Sequence, residues 1–151
     1  GFAWRQAGSS VGDDSAARAF WKMSFDQHDG GRLQISEFGG KPLLLNFWAT
    51  WCPPCIKEMP LLDSFHREQG WQVLGLAVDQ AGPVREYLQR VPVGFAIALA
   101  GLEGVELSRS LGNAGGQLPY TAVFDSAGQL IDRHLGAVDE GMLAAWAKKI
   151  A

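Results

Sequence analysis

Residues 43 to 69 constrain the fold more than any other part of the chain. Leu43 to Trp48 is apolar except for Asn46. The run is short and bounded by turn residues, so it reads as a strand buried on both faces. Ala49-Thr50-Trp51 forms a loop, and a helix then begins at Cys52-Pro53-Pro54-Cys55. Ile56, Met59, Leu62 and Phe65 place apolar groups on one side of that helix, which ends near Gln69-Gly70. Pro60 falls inside it and should kink it. A buried strand feeding a helix of this length calls for an α/β sheet with parallel members.

The flanking segments extend the pattern. Phe20–Phe25 and Arg32–Phe38 surround Asp29-Gly30-Gly31, a turn signal, and suggest a small hairpin. After the cysteine helix come a strand over Trp71–Val78, a helix over Pro83–Val91, a strand over Val93–Ala100 and a short helix over Val105–Leu111. The glycines of 112–116 lack the strand-before, helix-after setting of a phosphate loop and read as a connection. Tyr120–Phe124 and Gln129–Leu135, joined by Asp125-Ser126-Ala127-Gly128, form a second hairpin. Asp139–Ile150 makes a terminal helix with Lys148 and Lys149 in its last turn, where the dipole favours cations. The Gly-, Ser- and Ala-rich start shows no period. Residues 1–19 are therefore expected to be a flexible leader, and residues 20–151 one domain. The architecture expected is a central mixed β-sheet flanked by helices.

The two cysteines of the chain stand three positions apart. A bridge that short closes almost no loop, so its entropic contribution to stability is small and a chemical role is indicated. The thiolate, not the thiol, is the nucleophile. Cys52, where a loop turns into a helix, faces the positive end of the helix dipole, which favours its thiolate. Cys55, one turn on, lies within reach of it. The expected cycle is attack by Cys52 on a partner disulfide, then resolution of the mixed disulfide by Cys55. Pro53 and Pro54 have no amide N–H, so this turn offers the thiolate fewer donors than ordinary residues would. A strong oxidant owes its potential to a stabilised reduced form. The weaker stabilisation here points to a reductant.

The stretch Lys-Pro-Leu-Leu-Leu-Asn-Phe-Trp-Ala-Thr-Trp-Cys-Pro-Pro-Cys-Ile-Lys-Glu-Met-Pro at residues 41–60 resembles the thioredoxin superfamily, most closely its extracytoplasmic TlpA/ResA-like branch. The resemblance covers about residues 20 to 150 and is densest around the cysteines. It implies a thioredoxin fold with an N-terminal hairpin extension and an inserted strand and helix around residues 91–104. It also implies that Cys52 is the exposed nucleophile, Cys55 the buried resolving thiol and Trp51 the flanking aromatic. Pro60 matches the helix-kinking proline. Pro119 matches the cis-proline that faces the disulfide and helps dock the client chain. Glu58 matches an acidic residue of this branch. One turn from Cys55, it is either a proton acceptor that tunes the thiols or a solvated surface carboxylate. Asn46 stands where cytoplasmic thioredoxins carry a buried Asp. An amide cannot take up a proton, so the general base must be Glu58 or water.

By the same resemblance, the clients are disulfides of other proteins, such as apocytochrome c or a metal-site assembly protein. Electrons would arrive from a membrane thiol–disulfide donor. The compartment is extracytoplasmic, with any signal peptide or anchor removed ahead of Gly1. A monomer is expected. No cofactor or metal is expected: zinc needs two more ligands, there is no third cysteine, and His28, His66 and His134 are scattered. A formal net charge of −3 without a basic cluster argues against nucleic acid. No apolar stretch approaches the ~20 residues of a bilayer span. Three other activities compete with a reductase: a disulfide oxidase or isomerase, a peroxiredoxin-like peroxidase, and a non-catalytic docking module on the same fold.

Overall fold

The computed structural model describes residues 14–150. In chain order the elements are α1 (Asp14–Trp21), β1 (Ser24–Gln27), β2 (Arg32–Gln34), a 3-10 turn (Ile35–Phe38), β3 (Leu43–Trp48), α2 (Pro53–Gln69) and β4 (Gln72–Ala77). These are followed by α3 (Ala81–Arg90), β5 (Ala96–Leu99), α4 (Glu103–Ser110), β6 (Tyr120–Phe124), β7 (Leu130–Leu135) and α5 (Glu140–Ile150). The seven strands form one sheet in the order β2-β1-β5-β4-β3-β6-β7. β3, β4 and β5 are parallel, whereas β6, β7 and the β1–β2 hairpin add antiparallel members.

All six residues of β3 are buried, as a central strand covered on both faces requires. Side chains alternate across it. Leu43, Leu45 and Phe47 enter the core that includes Phe20 of α1 and Leu107 of α4. Leu44 and Trp48 enter the core that includes Met59, Leu62 and Phe65 of α2 and Trp146 of α5. Asn46 falls in the second set by the same alternation, which turns its amide towards α2. Gly75 in β4 leaves room for the Trp48 indole: a Cβ there would lie 3.1 Å from Trp48 Nε1 and 2.9 Å from Ile97 Cδ1.

The expected leader needs correction. Residues 1–13 lie outside the described residues, but Asp14–Trp21 is a helix. It is tied down by Ala17 and Phe20, both buried, and by the Trp21 indole N–H, which donates to the Gly128 carbonyl at 2.7 Å. Phe20 stacks on Phe124 at 5.1 Å between ring centroids. Phe20 is therefore helical and core, not the start of a hairpin arm. The hairpin itself is shorter than expected: its second arm ends at Gln34, where the chain turns into the 3-10 segment.

Candidate active site

Parallel β3 delivers the chain to the C-terminal edge of the sheet, and α2 starts there. Cys52 is the N-cap of α2 in extended backbone, with prolines filling the first two helical positions. Proline is tolerated at that end because those amides have no intrahelical acceptor, and its fixed φ suits the first turn. Cys52 and Cys55 are joined by a disulfide, with their Cα atoms 5.3 Å apart. Cys55 is fully buried and Cys52 keeps 6% of its surface open. The asymmetry follows the expected order, but Cys52 is far less exposed than expected for a nucleophile. The exposed members of the motif are Trp51, at 64%, and the two prolines.

Pro119 follows a cis peptide bond from Leu118. It precedes β6, whose Tyr120 pairs with Phe47 near the end of β3, so it reaches the edge of the sheet from which α2 departs. The Pro119 carbonyl accepts the Gly136 N–H at 2.8 Å, linking it to the end of β7.

Glu58 is 2% exposed, which rules out a solvated surface carboxylate. Its Oε1 accepts from Asn46 Nδ2 at 2.6 Å and its Oε2 from the Val138 N–H at 3.0 Å. Asn46 Nδ2 also donates to Thr121 Oγ1 at 3.2 Å, across the β3–β6 ladder. Burial pushes Glu58 up from its ordinary 4.5 to about 7, and the two donors only partly oppose it. Asn46 Oδ1 is buried without a hydrogen-bond partner, an acceptor next to a group that holds a proton near neutrality. The carboxyl that the Asn46 position lacks is thus supplied from α2, facing the same strand.

The sequence matches the Redoxin family over residues 6–149. The chain belongs to the Redoxin family. Among its relatives, the thiol-disulfide oxidoreductase ResA of Bacillus thuringiensis subsp. konkukian is 29% identical over 126 residues. That match covers 81% of this chain and 70% of the relative. The thiol:disulfide interchange protein DsbE of Vibrio cholerae is 37% identical over 116 residues, covering 76% of this chain and 61% of the relative. The solved structure of MTB dsbF, in mixed oxidised and reduced forms, superposes with a TM-score of 0.73 at 27% identity, covering 88% of this chain and 98% of that one. This Redoxin protein has the thioredoxin fold and is a TlpA/ResA-like thiol–disulfide oxidoreductase.

Other groups of this Redoxin site carry no signal in the linear sequence. The backbone N–H of Thr50 donates to Asp79 Oδ2 at 2.8 Å, and the Thr50 hydroxyl donates to the same oxygen. Asp79, two residues past the end of β4, thereby holds the loop that leads into Cys52. Thr121 and the Val138 amide are equally silent in sequence, because only the sheet register and the β7–α5 connection bring them to Asn46 and Glu58.

Proposed function

We propose that this protein reduces disulfides of other proteins in an extracytoplasmic compartment. Cys52 and Cys55 cycle between dithiol and disulfide. The clients are apocytochrome c or a metal-site assembly protein, and a membrane thiol–disulfide transporter supplies the electrons. Compartment, clients and donor are carried over from the TlpA/ResA-like branch. The direction of electron flow rests on one observation: Cys52 caps a helix whose first two residues are prolines. The first helical N–H is therefore that of Cys55, and a Cys52 thiolate receives little of the stabilisation that makes a strong oxidant.

In the forward cycle the Cys52 thiolate attacks one client sulfur. A Cys52–client bond forms, the client disulfide breaks, and the other client sulfur leaves as a thiolate that takes up a proton. Cys55, deprotonated, then attacks Cys52 and releases the second client thiolate. Two electrons pass to the client and the protein ends oxidised. Glu58, buried one turn from Cys55 with an affinity for protons near neutrality, receives the Cys55 proton. Trp51 flanks the exchange, and Pro119 helps dock the client.

Equilibration with thiol buffers of known potential tests the direction. The expected value lies near that of thioredoxin, about −270 mV, and a value above about −200 mV overturns the reading in favour of an oxidase or isomerase. A Cys55→Ser variant should hold its client on Cys52 as a mixed disulfide that mass spectrometry identifies.

A further inference from the structure

A carboxyl that receives the Cys55 proton has to meet two opposed demands. It must be ionised to take that proton. It must then hold the proton until the disulfide is reduced again and Cys55 leaves as a thiolate. Burial alone favours the protonated form. A balance needs a hydrogen-bond donor that is neutral, does not titrate and stays in place.

Asn46 meets that description. It is fully buried in the middle of β3. On β4 it lies opposite Gly75, which brings no side chain, and on β6 opposite Thr121. Its Nδ2 stands 2.6 Å from Glu58 Oε1 and 3.2 Å from Thr121 Oγ1. An amide nitrogen carries two hydrogens, so each bond uses one. Partners on a helix and on a strand together fix where that nitrogen stands. The second Glu58 oxygen accepts from the backbone N–H of Val138. Both carboxyl oxygens thus face donors, and one of those donors depends on a side chain. An apolar residue at position 46 would leave Oε1 without its donor. An Asp there would set a second carboxyl against the first, and the pair would keep a proton between them.

We infer that Asn46, anchored by Thr121, is a positioning residue whose amide N–H holds Glu58 poised between taking and releasing the Cys55 proton. The inference rests on the proposed cycle, in which Glu58 receives that proton. The other titratable groups on the elements around Glu58 are Cys52, Cys55 and the exposed Lys57 of α2, the partly buried Asp132 and His134 of β7, and the exposed Asp139 and Glu140 beyond Val138. His134 lies opposite Thr121 and Asp132 opposite Val123, so both share the face of the sheet that carries Asn46. The hydrogen bonds of the carboxyl go to Asn46 and Val138, not to these groups.

The test follows the side-chain carboxyl carbon of Glu58 by NMR across pH in the oxidised protein, where neither cysteine titrates. The wild-type midpoint should lie at about 7. Asn46→Leu removes a hydrogen bond to a charged group and should raise proton affinity about tenfold to a hundredfold, moving the midpoint up by about one to two pH units. Thr121→Val frees the amide and should move it the same way by less, about threefold in affinity. Thr121→Ser keeps the hydroxyl and should restore the wild-type midpoint. A purely structural role would lower stability and leave the midpoint alone, so an unmoved midpoint in Asn46→Leu and Thr121→Val overturns the inference. Should Asn46→Leu not fold, the two Thr121 variants decide. A second readout is the pH profile for release of glutathione from a mixed disulfide on Cys52, the step performed by Cys55. Its half-maximal point should move up with the midpoint. A midpoint that moves while this profile stays put refutes Glu58 as the proton acceptor of the cycle, and the inference with it; a midpoint that stays put refutes the inference alone.

Discussion

Replacing Glu58 with Gln should change how stability depends on pH. In the unfolded chain this carboxyl titrates at its ordinary 4.5, and in the oxidised fold burial holds it at about 7. Below pH 4.5 both states are protonated and the difference contributes nothing. Between the two values the folded state keeps a proton that the unfolded state has released, so stability falls as pH rises. Above 7 both are ionised and the cost is complete. At about 1.4 kcal/mol for each pH unit between the two values, it reaches about 3 kcal/mol. Gln cannot ionise, so Glu58→Gln escapes this cost. Its amide oxygen can still accept from Asn46 or from Val138, but both bonds cannot persist as they stand, which lowers stability by about 1 kcal/mol at every pH. The assay is urea denaturation of the oxidised proteins at pH 4.5 and pH 8. The variant should gain about 3 kcal/mol on the wild type between those two conditions. A difference between the two proteins that does not change with pH would refute the argument that Glu58 is held protonated by burial.

Pro54→Ala restores an amide at the second position of α2. A hydrogen bond to a charged group contributes about 1.5–3 kcal/mol, so the potential should rise by about 30–60 mV in redox equilibration; an unchanged potential would detach the prolines from the redox poise. Phe20→Ala removes a fully buried ring stacked on Phe124. It should cost about 3–4 kcal/mol in denaturant unfolding, whereas a loss below about 1 kcal/mol would mean that α1 is not integral to the domain.

The parts that could be read from sequence are those whose cause is local. Leu43–Trp48 declares a buried strand by its own composition. Cys52 and Cys55 declare their pairing by spacing and helical geometry, and the prolines between them speak through their missing amides. Helix α1 is hidden in the sequence for the opposite reason. Its eight residues carry only a short apolar stripe, Ala17, Phe20 and Trp21, and what holds it is the distant ring of Phe124 and carbonyl of Gly128. A helix that short owes its stability to packing and not to propensity. The setting of Glu58 was illegible in the same way. Its partner Asn46 is 12 residues away, the Val138 amide 80, and Thr121 reaches Asn46 across 75. Only the completed sheet decides between a carboxylate in water and one sealed against a strand.

Strand β5 lies between β4 and β1, with the hairpin arm β2 outermost. Without β1, the inserted strand would offer bare amides and carbonyls along a hydrophobic border, an open invitation to another copy of the chain. The early hairpin occupies that border through Asp26 and Gln27, opposite Leu99 and Ala98. The outermost strand is then the three-residue β2, with Arg32 and Gln34 exposed on either side of Leu33. On that side the sheet thereby ends in a strand too short and too polar to recruit a further one.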